Sequence, residues 1–440
     1  MNSESHSNNN GKQLGFLAVV SIVISSQVGS GVFMFPSTLA PFGTIGLLGW
    51  VLAVSGAISL ALIFSELSSK FIKNGGPHVY VMEAFGEKAG FFTAWTYWII
   101  SWTSNSVLLV TATNYLSAIV DNLGPFQTLF IQVGAIALIT SINLMGVHIS
   151  GIVEVCLTFL KVTPLFILPF LFLGSFNSEY FRISDISSTD ATETLSTIIK
   201  AALFAFWGFI GVECATTPAG RVKNPEKTLP RAIIMGTACV ALIYLLNVIS
   251  VFGVVGFEGL IDAKAPYAIA LSKVFPNYLS GHIFISLLAM LICIGTLNAW
   301  TLSAGQIAQG ACEDGLFPKI WGKPNKNGAP TVAILIAAFG IIPFLITAQI
   351  FGTEGLNRLV DFMVNIFLVV YFVCAIAYLK MIKKFQGTLS KRLKLYALGL
   401  FAASFCIFVI AQDAFNIAIT LLIFILLGIP VYMIRKNSSN

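Results

Sequence analysis

Apolar stretches long enough to cross a bilayer, which takes about 20 residues of helix, follow one another along this chain, parted by short polar loops. Twelve are predicted, over 14–40, 44–65, 90–120, 126–146, 152–174, 195–219, 230–256, 281–311, 329–350, 357–380, 392–411 and 414–434. The pattern predicts an all-α membrane protein of twelve transmembrane helices behind a disordered cytoplasmic tail over 1–13. Two segments are interrupted part-way. Val28-Gly29-Ser30-Gly31-Val32-Phe33 lies in the first, and Trp207-Gly208-Phe209-Ile210-Gly211-Val212-Glu213 in the sixth. Each glycine weakens a helix interior by about 1 kcal/mol relative to alanine. In lipid the exposed backbone is tolerated only against protein or a polar cavity. A half-helix restarting near Val32 aims free amides and a positive dipole end into the break, a geometry suited to a carboxylate. Alone, Gly-Ser-Gly reads equally well as a packing feature for close helix approach. Two interrupted helices, equivalently placed in successive five-helix units, point instead to a five-plus-five inverted-repeat transporter with helices 1 and 6 unwound mid-membrane. The transport core then spans 14–380. Helices 11 and 12, over 381–440, are read as scaffold or a contact with a second copy, leaving a homodimer open.

Composition narrows the class. The chain is 57% hydrophobic and 10% charged, with a mean hydropathy of +0.88, against about 25% charge in soluble domains. The net charge of +6 needs no nucleic acid partner, because it suits anionic lipid headgroups. With the N-terminus inside, the inner loops hold Lys70, Lys73, Lys88, Arg221, Lys223, Lys227, Arg231, Lys319, Lys323, Lys326 and the run 380–394. The outer loops hold Arg182, Lys264, Lys273 and Arg358, with Lys200 at an outer helix end. The positive-inside rule therefore places both termini in the cytoplasm of a multi-pass inner-membrane protein. The polar start does not resemble a cleaved signal peptide, which would open with positive charge. Seven cysteines have no pairing or metal spacing, and the four histidines are scattered outside any acidic cluster. No metal, cofactor or catalytic constellation is expected, so the chain is not read as an enzyme.

Polar groups inside the apolar segments are the candidate chemistry. Tyr97, Ser101 and Asn105 recur at helical spacing in the third. Lys161 lies about ten residues into the fifth segment, too deep to snorkel comfortably, ahead of Pro164 and Pro169. It reads either as a titrating group or as a tether to the unwound carbonyls near Gly29, and both place it beside the break. Glu213 is open between gating or proton sensing and structural pairing. A short amphipathic helix is expected over about 79–85, where Tyr80 is either at the inner mouth of a cavity or an interfacial aromatic. The loop 257–274 is a candidate outer cap helix.

Further motifs carry a resemblance. They are Gly29-Ser30-Gly31-Val32-Phe33 with Pro36, Asn74-Gly75-Gly76, the run Trp207 to Glu213, Val222-Lys223-Asn224-Pro225-Glu226-Lys227-Thr228-Leu229-Pro230-Arg231-Ala232-Ile233, Trp300-Thr301-Leu302-Ser303-Ala304-Gly305-Gln306 and Asp314-Gly315-Leu316-Phe317-Pro318. In this order and spacing the chain resembles the amino acid-polyamine-organocation transporters, specifically the bacterial basic amino acid/polyamine antiporters such as the arginine/agmatine and putrescine/ornithine exchangers. The resemblance implies that Ser30 and the amides around Gly29 and Gly31 bind a substrate carboxylate. It implies that carbonyls at Gln27, Trp207 and Ile210 meet the α-amino group, and that a cationic side chain stacks on Trp300, a contact worth about 2 kcal/mol when desolvated. Asn105 matches the residue that reads the side-chain end, Trp207 the outer aromatic gate, and Tyr97 with Glu213 residues implicated in gating or pH response. There are departures. Lys161 stands where the arginine/agmatine exchanger has a small apolar residue and where proton-coupled permeases and obligate exchangers of the wider family carry lysine, resembling a stand-in for sodium. Ser26 and Gln27 also differ from the pattern. The expected function is alternating-access exchange of a cationic amino acid for a related amino acid or polyamine. The alternative is proton-coupled uptake with broad or neutral specificity, titrating Lys161 or Glu213. A sensor of the same fold would call for large soluble extensions.

Overall fold

The computed structural model describes residues 13–117, 119–120, 123–181, 191–261, 263, 265–276, 280–385 and 388–437. The expected tail, except Gln13, lies outside the described residues, as do Arg182 and Lys264. The described chain is helical, with isolated β-bridges at Leu14–Val222 and Pro324–Pro330. The α-helices are α1 Phe16–Gln27, α2 Gly31–Leu39, α3 Gly43–Lys70, α4 Pro77–Phe85, α5 Glu87–Thr103, α6 Asn105–Leu116, α7 Pro125–Leu144 and α8 Val147–Phe172. They continue as α9 Ala191–Phe206, α10 Pro225–Val255, α11 Pro266–Val274, α12 Ser280–Glu313, α13 Thr331–Met381, α14 Leu389–Ile410 and α15 Ala414–Asn437.

Among the described residues, ten stretches are long and apolar enough to cross a membrane. The first, Phe16–Lys70, spans 55 residues and takes in two predicted segments. The predicted third segment is divided at Ser104 into α5 and α6, of 17 and 12 residues. The predicted ninth segment, from Thr331 on, and the whole tenth lie within α13, which is helical over 51 residues. Trp102 packs on Phe344 with ring centroids 6.4 Å apart, while its neighbour Thr103 reaches Met363 Sδ at 3.3 Å. A straight helix would separate those two positions by about 28 Å, so α13 doubles back on itself.

The predicted sixth segment does not resume as an α-helix after its break. Past Phe206 the chain winds through short 3-10 turns, Trp207–Phe209, Cys214–Thr216 and Ala219–Arg221. Thr216 and Thr217 turn their hydroxyls onto the carbonyls of Glu213 and Cys214, at 2.7 and 2.8 Å. Pro218 supplies no N–H, and together these side-chain bonds and the missing donor favour tight i to i+3 turns over a continued helix. The core lies where α1 packs against α8, α10 and α12.

One end of the bundle gathers the loops that carry most basic residues. Leu14 N–H donates to the Arg221 carbonyl at 2.8 Å, and Lys223 N–H to the Leu14 carbonyl at 2.9 Å. Asn74 Oδ1 accepts from the Gly220 amide at 2.9 Å, and Asn325 Nδ2 donates to the Leu144 carbonyl at 2.8 Å. At the other end, Lys273 Nζ donates to the Val255 carbonyl at 3.2 Å, and the expected cap helix is α11.

Candidate functional site

The interruptions in the first and sixth segments face each other. α1 ends at Gln27, Val28 leaves helical geometry with ψ near 89°, and α2 begins at Gly31. A Cβ built on Gly31 would lie 3.2 Å from the Gly208 Cα, so backbone meets backbone here and larger residues would hold the breaks apart. Between them lies a cavity lined by Ser26, Gln27, Gly29, Ser30, Gly31 and Ser104, and by Leu108, Trp207, Ile210, Thr296, Trp300 and Phe367. Its free volume is about 20 Å³, room for one water and not for an amino acid.

Its walls are chemically divided. The first amides of α2 have no acceptor one turn earlier in their own helix, and with the Ser30 hydroxyl they suit an anion. Trp207 Nε1 donates to Ser30 Oγ at 3.1 Å, closing the indole over that serine. Trp300 Nε1 donates to the Ser26 carbonyl at 3.1 Å, and Phe367 packs on its ring with centroids 5.3 Å apart. An indole fixed in this way offers a π face to a cation. Of the three carbonyls anticipated for an amine, two are already engaged by protein: Gln27 accepts from the Tyr244 hydroxyl at 2.7 Å, and Trp207 accepts from the Ile210 amide at 3.4 Å. Asn105 does not line the cavity, although its neighbour Ser104 does. It is buried, and its amide oxygen and nitrogen have no partner among the described residues.

Lys161 is fully buried, with its ammonium bonded to the Ser25 carbonyl at 2.9 Å, the Val28 carbonyl at 3.0 Å and Thr296 Oγ1 at 3.1 Å. These three partners match its three donors. Thr296 in turn donates to Val28 at 2.6 Å. The geometry is that of a tether, holding the carbonyls that α1 leaves free at its end.

Glu213 stands apart from the cavity, fully buried. Tyr97 donates to its Oε1 at 2.7 Å, and Tyr371 donates to its Oε2. Tyr371 Oη accepts from the Gly211 amide at 3.1 Å. The carboxylate therefore clamps α5 and α13 to the second break.

Residues 14–420 match the family model described as amino acid permease. The chain belongs to the amino acid permease family. The permease is 28% identical over 346 residues to the cadaverine/lysine antiporter of Escherichia coli (strain K12), covering 78% of this chain and 77% of that protein. It is 26% identical over 324 residues to the putrescine transporter PotE of the same strain, covering 73% of each.

Several residues that build the permease's site escaped the sequence reading. Thr296 could have been found one turn before Trp300 on the same helix face. Glu154 stands two turns before Lys161 on one face of α8 and was equally findable. Tyr244, Phe367 and Tyr371 carry no local signal, since each is an aromatic in an apolar run.

The histidines prove less isolated than their sequence positions suggest. His78, fully buried, places Nε2 3.2 Å from Asp314 Oδ2, and Lys73 Nζ lies 3.4 Å from Oδ1. Asn74 Nδ2 donates to Glu313 Oε2 at 3.2 Å, so the turn after α12 is pinned to the loop ahead of α4. Burial opposes the Asp314 carboxylate, but its hydrogen bond and electrostatic interaction with His78, then with Lys73, outweigh that and hold its pKa below the ordinary 3.8. A lowered carboxyl pKa stabilises the fold above the ordinary value, and that stability is lost as pH falls through the lowered one. The wild type is expected to melt above Asp314→Asn from neutral pH to about pH 5, with the gap closing below about pH 4. A gap of the same size in acid would show that the carboxylate charge plays no part.

Proposed function

We propose that this permease is a secondary active exchanger, taking a cationic amino acid against a related amino acid or polyamine by alternating access. The observation that carries the reading is the cavity between two glycine-broken segments, with free amides on one wall and a fixed indole on the other. The antiporter and transporter relatives support exchange of such substrates over proton-coupled uptake of neutral amino acids, and transport over catalysis. In this reading Ser30 with the amides at Gly29 and Gly31 takes the carboxylate. The carbonyl of Ile210 takes the amine, with Trp207 and Gln27 reached where the Ile210 amide and the Tyr244 hydroxyl share them. Trp300 stacks on the cationic end. Asn105, which does not line the small cavity, is assigned to the side-chain end once the site widens. Trp207 gates one side and the Tyr97, Glu213 and Tyr371 clamp the other, while Lys161 is a fixed tether. No bound sodium is invoked.

Twelve crossings follow from the ten apolar stretches if Phe16–Lys70 counts as two and α5 with α6 as one more. The first ten form the inverted-repeat core over 14–380, with unwound segments 1 and 6 at mid-membrane. The last two, in 381–440, are scaffold with exposed apolar faces for lipid or a second copy. The shared end of Leu14, Asn74, Gly220 and Asn325 supports one basic, cytoplasmic face that also holds both termini, in the inner membrane.

The test uses purified protein in liposomes loaded with one unlabelled amino acid or diamine at a time, following labelled lysine, arginine, ornithine and alanine, and repeated in empty vesicles under a pH gradient. Exchange predicts uptake only against an internal substrate. Uptake into empty vesicles driven by inward protons would replace this reading with symport. Trp300→Ala is expected to weaken lysine about 30-fold, the equivalent of about 2 kcal/mol, and alanine by much less. Equal losses for both would remove the stacking role.

A further inference from the structure

α12 is held from two sides. Thr296 and Trp300, one turn apart, face the end of α1 and bond the Val28 and Ser26 carbonyls. Asn298 lies between them, turned by about 200° around the helix from each, and faces α7 and α8. Its Nδ2 donates to Glu154 Oε2 at 2.6 Å, and its Oδ1 accepts from Asn143 Nδ2 at 3.0 Å. Both its amide atoms are committed, which sets the rotation of α12 about its own axis. That rotation aims Thr296 and Trp300.

Glu154 is fully buried. A buried carboxylate is costly unless it is hydrogen-bonded; here Asn298 holds Oε2, while Oε1 has no hydrogen-bond partner among the described residues. The Ser25 carbonyl is taken by Lys161. The two charged groups of α8 stand seven residues apart on one face, and Lys161 holds the end of α1 through the Ser25 and Val28 carbonyls. Both also reach α12, Glu154 through Asn298 and Lys161 through Thr296. The opposite charges compensate each other inside the bundle, which neither could do alone.

We propose that Glu154 is a positioning residue for the substrate site: by fixing Asn298 it sets the rotation of α12, and with it where Thr296 and the indole of Trp300 meet the first break. The inference rests on the exchanger reading. Glu154 touches no substrate and acts through the helices it fixes.

The experiment compares wild type, Glu154→Gln, Asn298→Ser and the double variant, each checked for folded protein by gel filtration. KM and kcat for exchange are measured alongside the melting shift that lysine induces in detergent. Glu154→Gln is expected to raise KM about tenfold for lysine and alanine alike, with kcat per folded molecule within about threefold. The lysine-induced melting shift should shrink in parallel. The double variant should be no more than about twofold worse than the weaker single, because both residues act along one path. Asn298→Ser leaves the buried charge in place and carries the comparison where Glu154→Gln does not fold. A KM within about twofold of wild type in either single variant, or losses that multiply in the double, would overturn the proposal. A wild type that binds lysine without exchanging it would overturn the transport reading, and the melting shifts would still decide the role of Glu154. A wild type that shows neither binding nor exchange would end both.

Discussion

Lys161→Met is expected to reduce exchange by more than about 100-fold, because removing one partner of a buried charge pair costs about 3–5 kcal/mol. Methionine has similar length and volume, so the cavity around α8 stays filled. What it lacks is a donor. The Ser25 and Val28 carbonyls, bonded to Nζ at 2.9 and 3.0 Å, lose that donor at the end of α1, each costing about 1–3 kcal/mol if left unsatisfied. Thr296 still reaches Val28, so Ser25 bears most of the loss, and Glu154 is left without its opposite charge. Lys161→Arg should not restore function, since a planar fork cannot take three partners arranged around a compact ammonium. Exchange and melting are measured together in proteoliposomes and detergent. A Lys161→Met protein that exchanges at the wild-type rate would remove the tether from the mechanism.

Gly211→Ala is expected to have the next largest effect. Gly211 has a φ of 109°, in the region that an L side chain occupies at a cost of about 1–2 kcal/mol. A Cβ there would also stand 2.8 Å from the Cβ and Oγ of Ser26, and such overpacking adds about 1–3 kcal/mol. Ser26 cannot yield cheaply. Its hydroxyl donates to the Gly211 carbonyl at 3.0 Å, and its own carbonyl holds Trp300. The Gly211 amide holds Tyr371, so displacing it would disturb both the cavity wall and the Glu213 clamp. The expected outcome is an exchange rate lowered by about 30-fold or more, the kinetic equivalent of about 2 kcal/mol, with a lower melting temperature. Gly134→Ala in α7 is the control. Nothing lies within 4 Å of its built Cβ, so it should leave exchange unchanged and stabilise the helix by about 1 kcal/mol at most. Equal behaviour of the two variants would show that the backbone at Gly211 is not under constraint.

Much of the molecule was legible before any coordinates. The apolar stretches, the paired glycine breaks, the depth of Lys161 and the motifs around Trp300 and Asp314 are local properties of the chain, written in runs of a few residues. They sufficed for the helical class, the membrane and the family. The division of the third segment at Ser104 and the unravelled chain after Phe206 were less visible, because tight turns built on Thr216, Thr217 and Pro218 depend on which hydroxyl finds which carbonyl.

What only the tertiary structure decided is the partner of each buried polar group. Ser25 and Val28 lie more than 130 residues from Lys161, Asn298 lies 144 from Glu154, and Asp314 lies 236 from His78. In a soluble helix the apolar stripe reveals which face turns inward. In a bilayer the outward face is apolar too, since lipid and protein core are equally oily. The rotation of each helix about its axis is therefore hidden in the sequence, and with it the contacts that aim Trp300, hold α1 at its break and lock Glu213 between two tyrosines.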